Sequence, residues 1–221
     1  MNKTMLIKEA WAIVGGLSNC EKMPSFSWGV SATLCKVGSV LAQVKGSVCF
    51  VCYALKGRFV FPNVRKAQDR RLKSLDDPRW MEAMSFLINH YKKPFRWFDS
   101  GDIQNLVHLI MIVEVAKRTP DVKHWLPTKE KLIIKSFLSI FKRFPPNLNV
   151  QMSGYMVDGP PVKMGEHGDK VSHHLIYTKT APTGSYVCPV GVKDSQFKSC
   201  SEAKCYACWD KSVPVVAGRL H

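Results

Sequence analysis

Carboxylates are scarce in this chain of 221 residues: 17 Asp and Glu stand against 32 Lys and Arg, a net charge of +15. Such a balance disfavours binding of cationic partners. It either attracts polyanions, with salt-dependent binding to DNA or RNA, or forms a solvated, self-repelling surface that maintains solubility. Long apolar runs are missing too; none approaches the roughly 18 residues of a membrane span, so no membrane partner is expected. The first seventeen residues carry Lys3, Lys8 and Glu9 among short apolar groups, and lack the unbroken apolar block of a secretory signal. A cytoplasmic location is therefore expected, where cysteines stay reduced and serve as metal or redox groups more than as disulfides.

Against these absences stand eight cysteines. Cys35, Cys49 and Cys52 form one ordered set, and Cys188, Cys200, Cys205 and Cys208 another; each closes in the Cys-x-x-Cys spacing that lets two thiolates reach one centre, followed at once by an aromatic residue. Four thiolates close a metal site, whereas three leave one coordination position for water, substrate or cofactor. Cys20 stands alone, either a fourth ligand for the first set or a small buried hydrophobe.

Between the two sets the pattern is rhythmic. Apolar strands are expected to begin near residues 95, 122, 148 and 174, a spacing of about 26 residues that matches a repeated βα unit. Helices are expected from Pro62 through Leu75, after Asp76-Asp77-Pro78, from Leu106 and over Leu132 to Phe141. The fold class is thus α/β: a partial (βα) barrel with parallel strands, a cysteine-bearing loop after a first strand at 25–32, and a cysteine-rich C-terminal extension. In domain terms this gives an N-terminal segment 1–24, a barrel domain 25–180 with the first metal site, and an extension 181–221 with the second.

Parallel βα units place every strand's C-terminal end on one rim, and ligands bind there. Polar residues stand at those ends: Asp99, Ser100, Gly101 and Asp102, then Thr128, Lys129 and Glu130, then Ser153, then Lys179. Asp99 and Asp102 suit acid and base work or a divalent ion, although either could cap the helix that follows. Lys129 and Glu130 could pair with each other or receive a substrate carboxylate or phosphate. His173 and His174 are neighbours on a strand, point to opposite faces and do not share an ion. Trp97, Trp125 and Trp209 read as packing beside the metal sites.

The motifs Cys-x13-Cys-x-x-Cys-Tyr-Ala-Leu-Lys-Gly-Arg at 35–58, Phe-Arg-Trp-Phe-Asp-Ser-Gly-Asp at 95–102, Trp-Leu-Pro-Thr-Lys-Glu at 125–130, Met-Val-Asp-Gly-Pro-Pro at 156–161 and Cys-x-x-Cys-Trp-Asp-Lys-Ser-Val at 205–213 resemble the phage "gene product 88" domain family over roughly residues 23–221. The Cys-Tyr-Ala signature is also similar to that of other phage-associated proteins related to radical S-adenosylmethionine enzymes. This second resemblance implies a [4Fe-4S] cluster on Cys35, Cys49 and Cys52, with Ser100-Gly101-Asp102 in place of the motif that holds the cofactor's amino group. It also implies an auxiliary cluster on Cys188, Cys200, Cys205 and Cys208, for which a zinc knuckle is the alternative. Here the Cys35–Cys49 gap is far longer than that family's usual three residues. The function implied is radical-type or redox chemistry on a macromolecular or nucleotide substrate in the host cytoplasm during infection. The competing expectation is a basic nucleic-acid-binding protein, or one that engages a host or phage protein, with structural cysteine sites.

Overall fold

The computed structural model describes residues 5–190 and 195–220. Residues 1–4 of the expected N-terminal segment, and 191–194 and 221 of the expected extension, lie outside the described residues. Six α-helices and eight strands are found within them: α1 (Ile7–Ile13), β1 (Ser18–Asn19), β2 (Phe26–Trp28), α2 (Lys36–Leu41), α3 (Pro62–Ser74), α4 (Trp80–Tyr91), β3 (Phe95–Trp97), α5 (Leu106–Arg118), β4 (His124–Thr128), α6 (Lys131–Phe141), β5 (Leu148–Ser153), β6 (Ser172–Tyr177), β7 (Tyr186–Val187) and β8 (Val215–Arg219).

The strands form one sheet in the order β1-β2-β3-β4-β5-β6-β8-β7. Only β1–β2 is antiparallel; the pairs from β2 to β8, and β7 with β8, are parallel. Among the described residues no pairing joins the outer strands, so the sheet is open rather than closed. From β2 to β6 spatial order follows chain order, which sets the C-terminal ends of successive strands side by side.

Register separates two unlike faces. Trp28, Trp97, His124, Leu126, Leu148, Val150 and Met152 fall on one, packed with the buried residues of α1, α4, α5 and α6 in the main core. Here Trp28 sits edge-on to Trp80 at 5.4 Å between ring centroids. Ser27, Arg96, Trp125, Asn149, Gln151, Ser172 and His174 fall on the other face, which is polar. Among the described residues no α-helix connects β5 to β6 or β6 to β8. Instead the cysteine-rich stretch after β6 packs on the polar side, making a second cluster of Trp125, Val190, Cys200 and Trp209.

Both ends of the chain therefore join the sheet. The N-terminal segment supplies α1 and β1, and the C-terminal stretch returns β8 alongside β6. Helix boundaries fall close to those expected. The strand expected from Val122 runs instead over His124–Thr128, through Pro127. Proline is tolerated there because the β3 ladder ends at Arg96–Trp125, so its missing N–H faces a side with no strand partner.

Candidate functional site

The rim is built first by the loop after β3. Ser100 donates through its hydroxyl to the Val30 carbonyl at 2.8 Å and accepts from the Gln68 amide at 3.0 Å. Gly101 has φ of 77°, and a Cβ on it would come within 2.6 Å of the Val30 backbone, so only glycine fits this approach. Ser100 and Gly101 thus pin the β3 loop to the strand end that leads into the first cysteine loop. Neither Asp99 nor Asp102 caps α5; Asn105 does, accepting the His108 N–H at 2.8 Å.

Asp102 is buried where β3 and β4 end together. One carboxylate oxygen accepts from Ile103 N–H at 2.8 Å and the Thr128 hydroxyl at 2.6 Å, and the other from Lys129 N–H at 2.8 Å. Burial outweighs these three donors and raises its pKa to about 6, with the nearby Glu130 carboxylate adding to the rise. Glu130, also buried, turns the other way and accepts the Val37 N–H at 3.0 Å in the first turn of α2. It therefore positions the cysteine loop and is not ion-paired to Lys129.

Cys35 precedes α2, and its carbonyl accepts the Ser39 hydroxyl. A Cβ on Gly38 would lie 2.9 Å from the Cys35 Cβ and 3.6 Å from the sulfurs of both Cys35 and Cys49. The glycine thus leaves the two thiols a shared hollow. Cys52 follows Cys49 by a tight turn, its N–H bonded to the Cys49 carbonyl at 3.2 Å. Burial pushes the Cys35 and Cys49 thiols up; the Asp102 carboxylate and the neighbouring cysteines add to this, and the Lys129 ammonium opposes it. The first cysteine set, Asp102 and Lys129 therefore share one end of the sheet, as the sequence placed them. Ser153 is half-buried at the end of β5, on the polar side beside His174.

The second set gathers on the polar face. Burial raises the Cys208 and Cys200 thiols, Cys188 and Cys205 raise them further, and the Arg96 guanidinium opposes the rise in both. The stretch is tied to the sheet by Asn149 donating to the Cys208 carbonyl and Trp209 Nε1 donating to the Phe95 carbonyl, each at 2.9 Å. Trp125 and Trp209 meet at 5.2 Å between centroids, in the cluster that also holds Cys200. Trp97 belongs to the opposite face, in the main core.

Arg96 is the residue that sequence reasoning missed. Its guanidinium lies 4.6 Å over the Trp125 ring, and its Nη2 donates to the Tyr53 hydroxyl at 3.3 Å, next to Cys52. It touches the surroundings of both cysteine sets, and its buried Nε has no partner among the described residues. An arginine alternating with aromatics in a strand gives no sign of this. His174 faces the Trp125 ring at 6.4 Å and is held well toward neutral, its pKa near 4, by burial and by the Lys129 and Arg96 charges.

Cys20 is not part of the first set. Its sulfur lies 3.4 Å from the Ser27 hydroxyl and 3.7 Å from an Asp99 oxygen. Among the described residues no three His, Cys, Asp or Glu side chains converge on one point that a single ion could occupy. Thiol sets of three and four are the donor chemistry of zinc sites and of iron-sulfur clusters alike.

No curated protein and no solved structure matches the chain. A family model does, over residues 6–211, somewhat further toward the N-terminus than the motifs reach. The chain belongs to the Gene product 88 family.

Proposed function

We propose that the protein is a phage iron-sulfur protein with two cysteine-ligated clusters, acting in redox or radical-type chemistry at the rim of its parallel sheet. Cys35, Cys49 and Cys52 would hold one cluster with an open iron, and Cys188, Cys200, Cys205 and Cys208 a second, closed one. Bound clusters supply one electron at a time, and an open iron adds a coordination position. The observation that carries the reading is the pairing of each thiol set with its own half-buried cation, Lys129 for the first and Arg96 for the second, on one sheet. Cations so placed offset the negative charge of thiolate-ligated centres.

The chain's own residues then divide the work. Glu130 and Gly38 shape the loop that carries Cys35. Thr128 and the Lys129 N–H hold Asp102. With a pKa near 6, Asp102 can exchange a proton close to neutrality, beside the first set. S-Adenosylmethionine rests on the resemblance alone. Ser100 and Gly101 are taken up by Val30 and Gln68, which leaves Asp102 as the motif's one group to meet an ammonium, so no step is routed through that cofactor. Equilibrium dialysis of the anaerobically purified protein against S-adenosylmethionine tests this: binding lost in Asp102→Asn supports the radical branch, and no binding leaves the redox branch alone.

A further inference from the structure

The exposed face of the first cysteine loop has a character of its own. From Lys22 to Gln68 the sequence contains no Asp or Glu, although Lys36, Lys45, Lys56, Arg58, Arg65 and Lys66 all fall within it. The same stretch of chain exposes aromatic rings: Phe50 is 52% exposed, Tyr53 54% and Phe61 53%. Phe50 and Tyr53 flank Cys52 in the chain, and Phe61 opens α3, whose outer side carries Arg65 and Lys66. A solvated, repulsive surface needs the charges and not the rings. Core packing would bury the rings.

We infer that this face, built from Phe50, Tyr53 and Phe61 among Lys45, Lys56 and Arg58, binds single-stranded nucleic acid. Unpaired bases offer flat faces to exposed rings, and the phosphates between them meet cations with no carboxylate to repel them. A duplex hides its base faces, and an acidic protein has little to stack. The inference deepens the reading above by naming the polymer presented to the first cysteine set, but binding does not depend on what the cysteines hold. Failure of either is therefore distinguishable from failure of the other.

The test is fluorescence anisotropy with a labelled twenty-nucleotide oligo(dT), titrated over 50 to 300 mM salt, with a duplex of equal length and poly-glutamate as competitors. The wild type is expected to bind with a steep salt dependence and to resist both competitors. Phe50→Ala with Phe61→Ala is expected to weaken binding about tenfold or more at fixed salt while leaving the salt slope unchanged. Lys56→Ala with Arg58→Ala is expected to weaken binding and lower the slope by roughly 2. All four side chains are exposed, or nearly so, and carry no bond the fold depends on; matched thermal melts verify that the variants fold. Unchanged affinity in the double-Phe variant, equal competition by duplex, displacement by poly-glutamate, or no saturable binding by the wild type would each overturn the inference.

Discussion

Replacing Asp102 by Asn isolates the cost of a charge held between β3 and β4. In the folded chain its pKa is about 6, against an ordinary value of 3.8. Protonation is therefore easier in the folded state than in the unfolded one. The protonated form's advantage is fully present below about pH 4 and is lost as pH rises through 6. A shift of about two units corresponds to about 3 kcal/mol. Asn removes the ionisation, but turns an amide N–H toward Lys129 N–H in place of an acceptor, at a pH-independent cost of about 1–3 kcal/mol. Urea unfolding of wild type and Asp102→Asn, both metal-free, at pH 4 and pH 8 separates the two. The variant is expected to be less stable than wild type at pH 4, and that deficit should shrink or reverse by about 3 kcal/mol at pH 8. A deficit that stays constant across pH would refute the reasoning, because Asp102 would then ionise as freely folded as unfolded.

Other perturbations probe the two cysteine sets separately. Gly38→Ala places a methyl against Cys35 and is expected to empty the first centre while the second keeps its iron, read as a halving of iron per chain. Cys20→Ala is expected to leave metal content unchanged, since its sulfur meets Ser27 and Asp99; loss of iron would make it a ligand. Trp209→Phe loses the bond to the Phe95 carbonyl and part of the Trp125 contact. A destabilisation of about 1–3 kcal/mol is expected, with faster proteolysis within residues 181–210 than elsewhere. Arg96→Met is expected to lower the reduction potential of the second centre, followed by redox titration; an unchanged potential would show the cation to be too distant to act.

Much of this arrangement is legible in the sequence because it is periodic. The 26-residue rhythm places β3, β4, β5 and β6 with α5 and α6 between the first three, and polar residues after apolar strands locate Asp102, Lys129 and Glu130 at one rim. The Cys-x-x-Cys pairs locate both thiol sets. What escapes is whatever depends on contacts far apart in the chain. Glu130 reads as a rim acid, yet its partner is a backbone N–H 93 residues away. Ser100 and Gly101 read as a ligand cradle, yet they serve Val30. Arg96 meets Tyr53, Trp125 and the second cysteine set only once strand order brings them together. Val215–Arg219 is buried evenly along its middle and so lacks the alternation that would mark it as a strand beside the cysteines.

The claim that two clusters occupy the two thiol sets is tested most directly by counting iron, sulfide and zinc per chain after anaerobic purification, in wild type and in Cys52→Ala and Cys208→Ala. Brown protein with about eight irons, reduced to about four by either substitution, is the expected result. Colourless protein with one or two zincs and no sulfide would contradict it and leave the cysteines as structural staples.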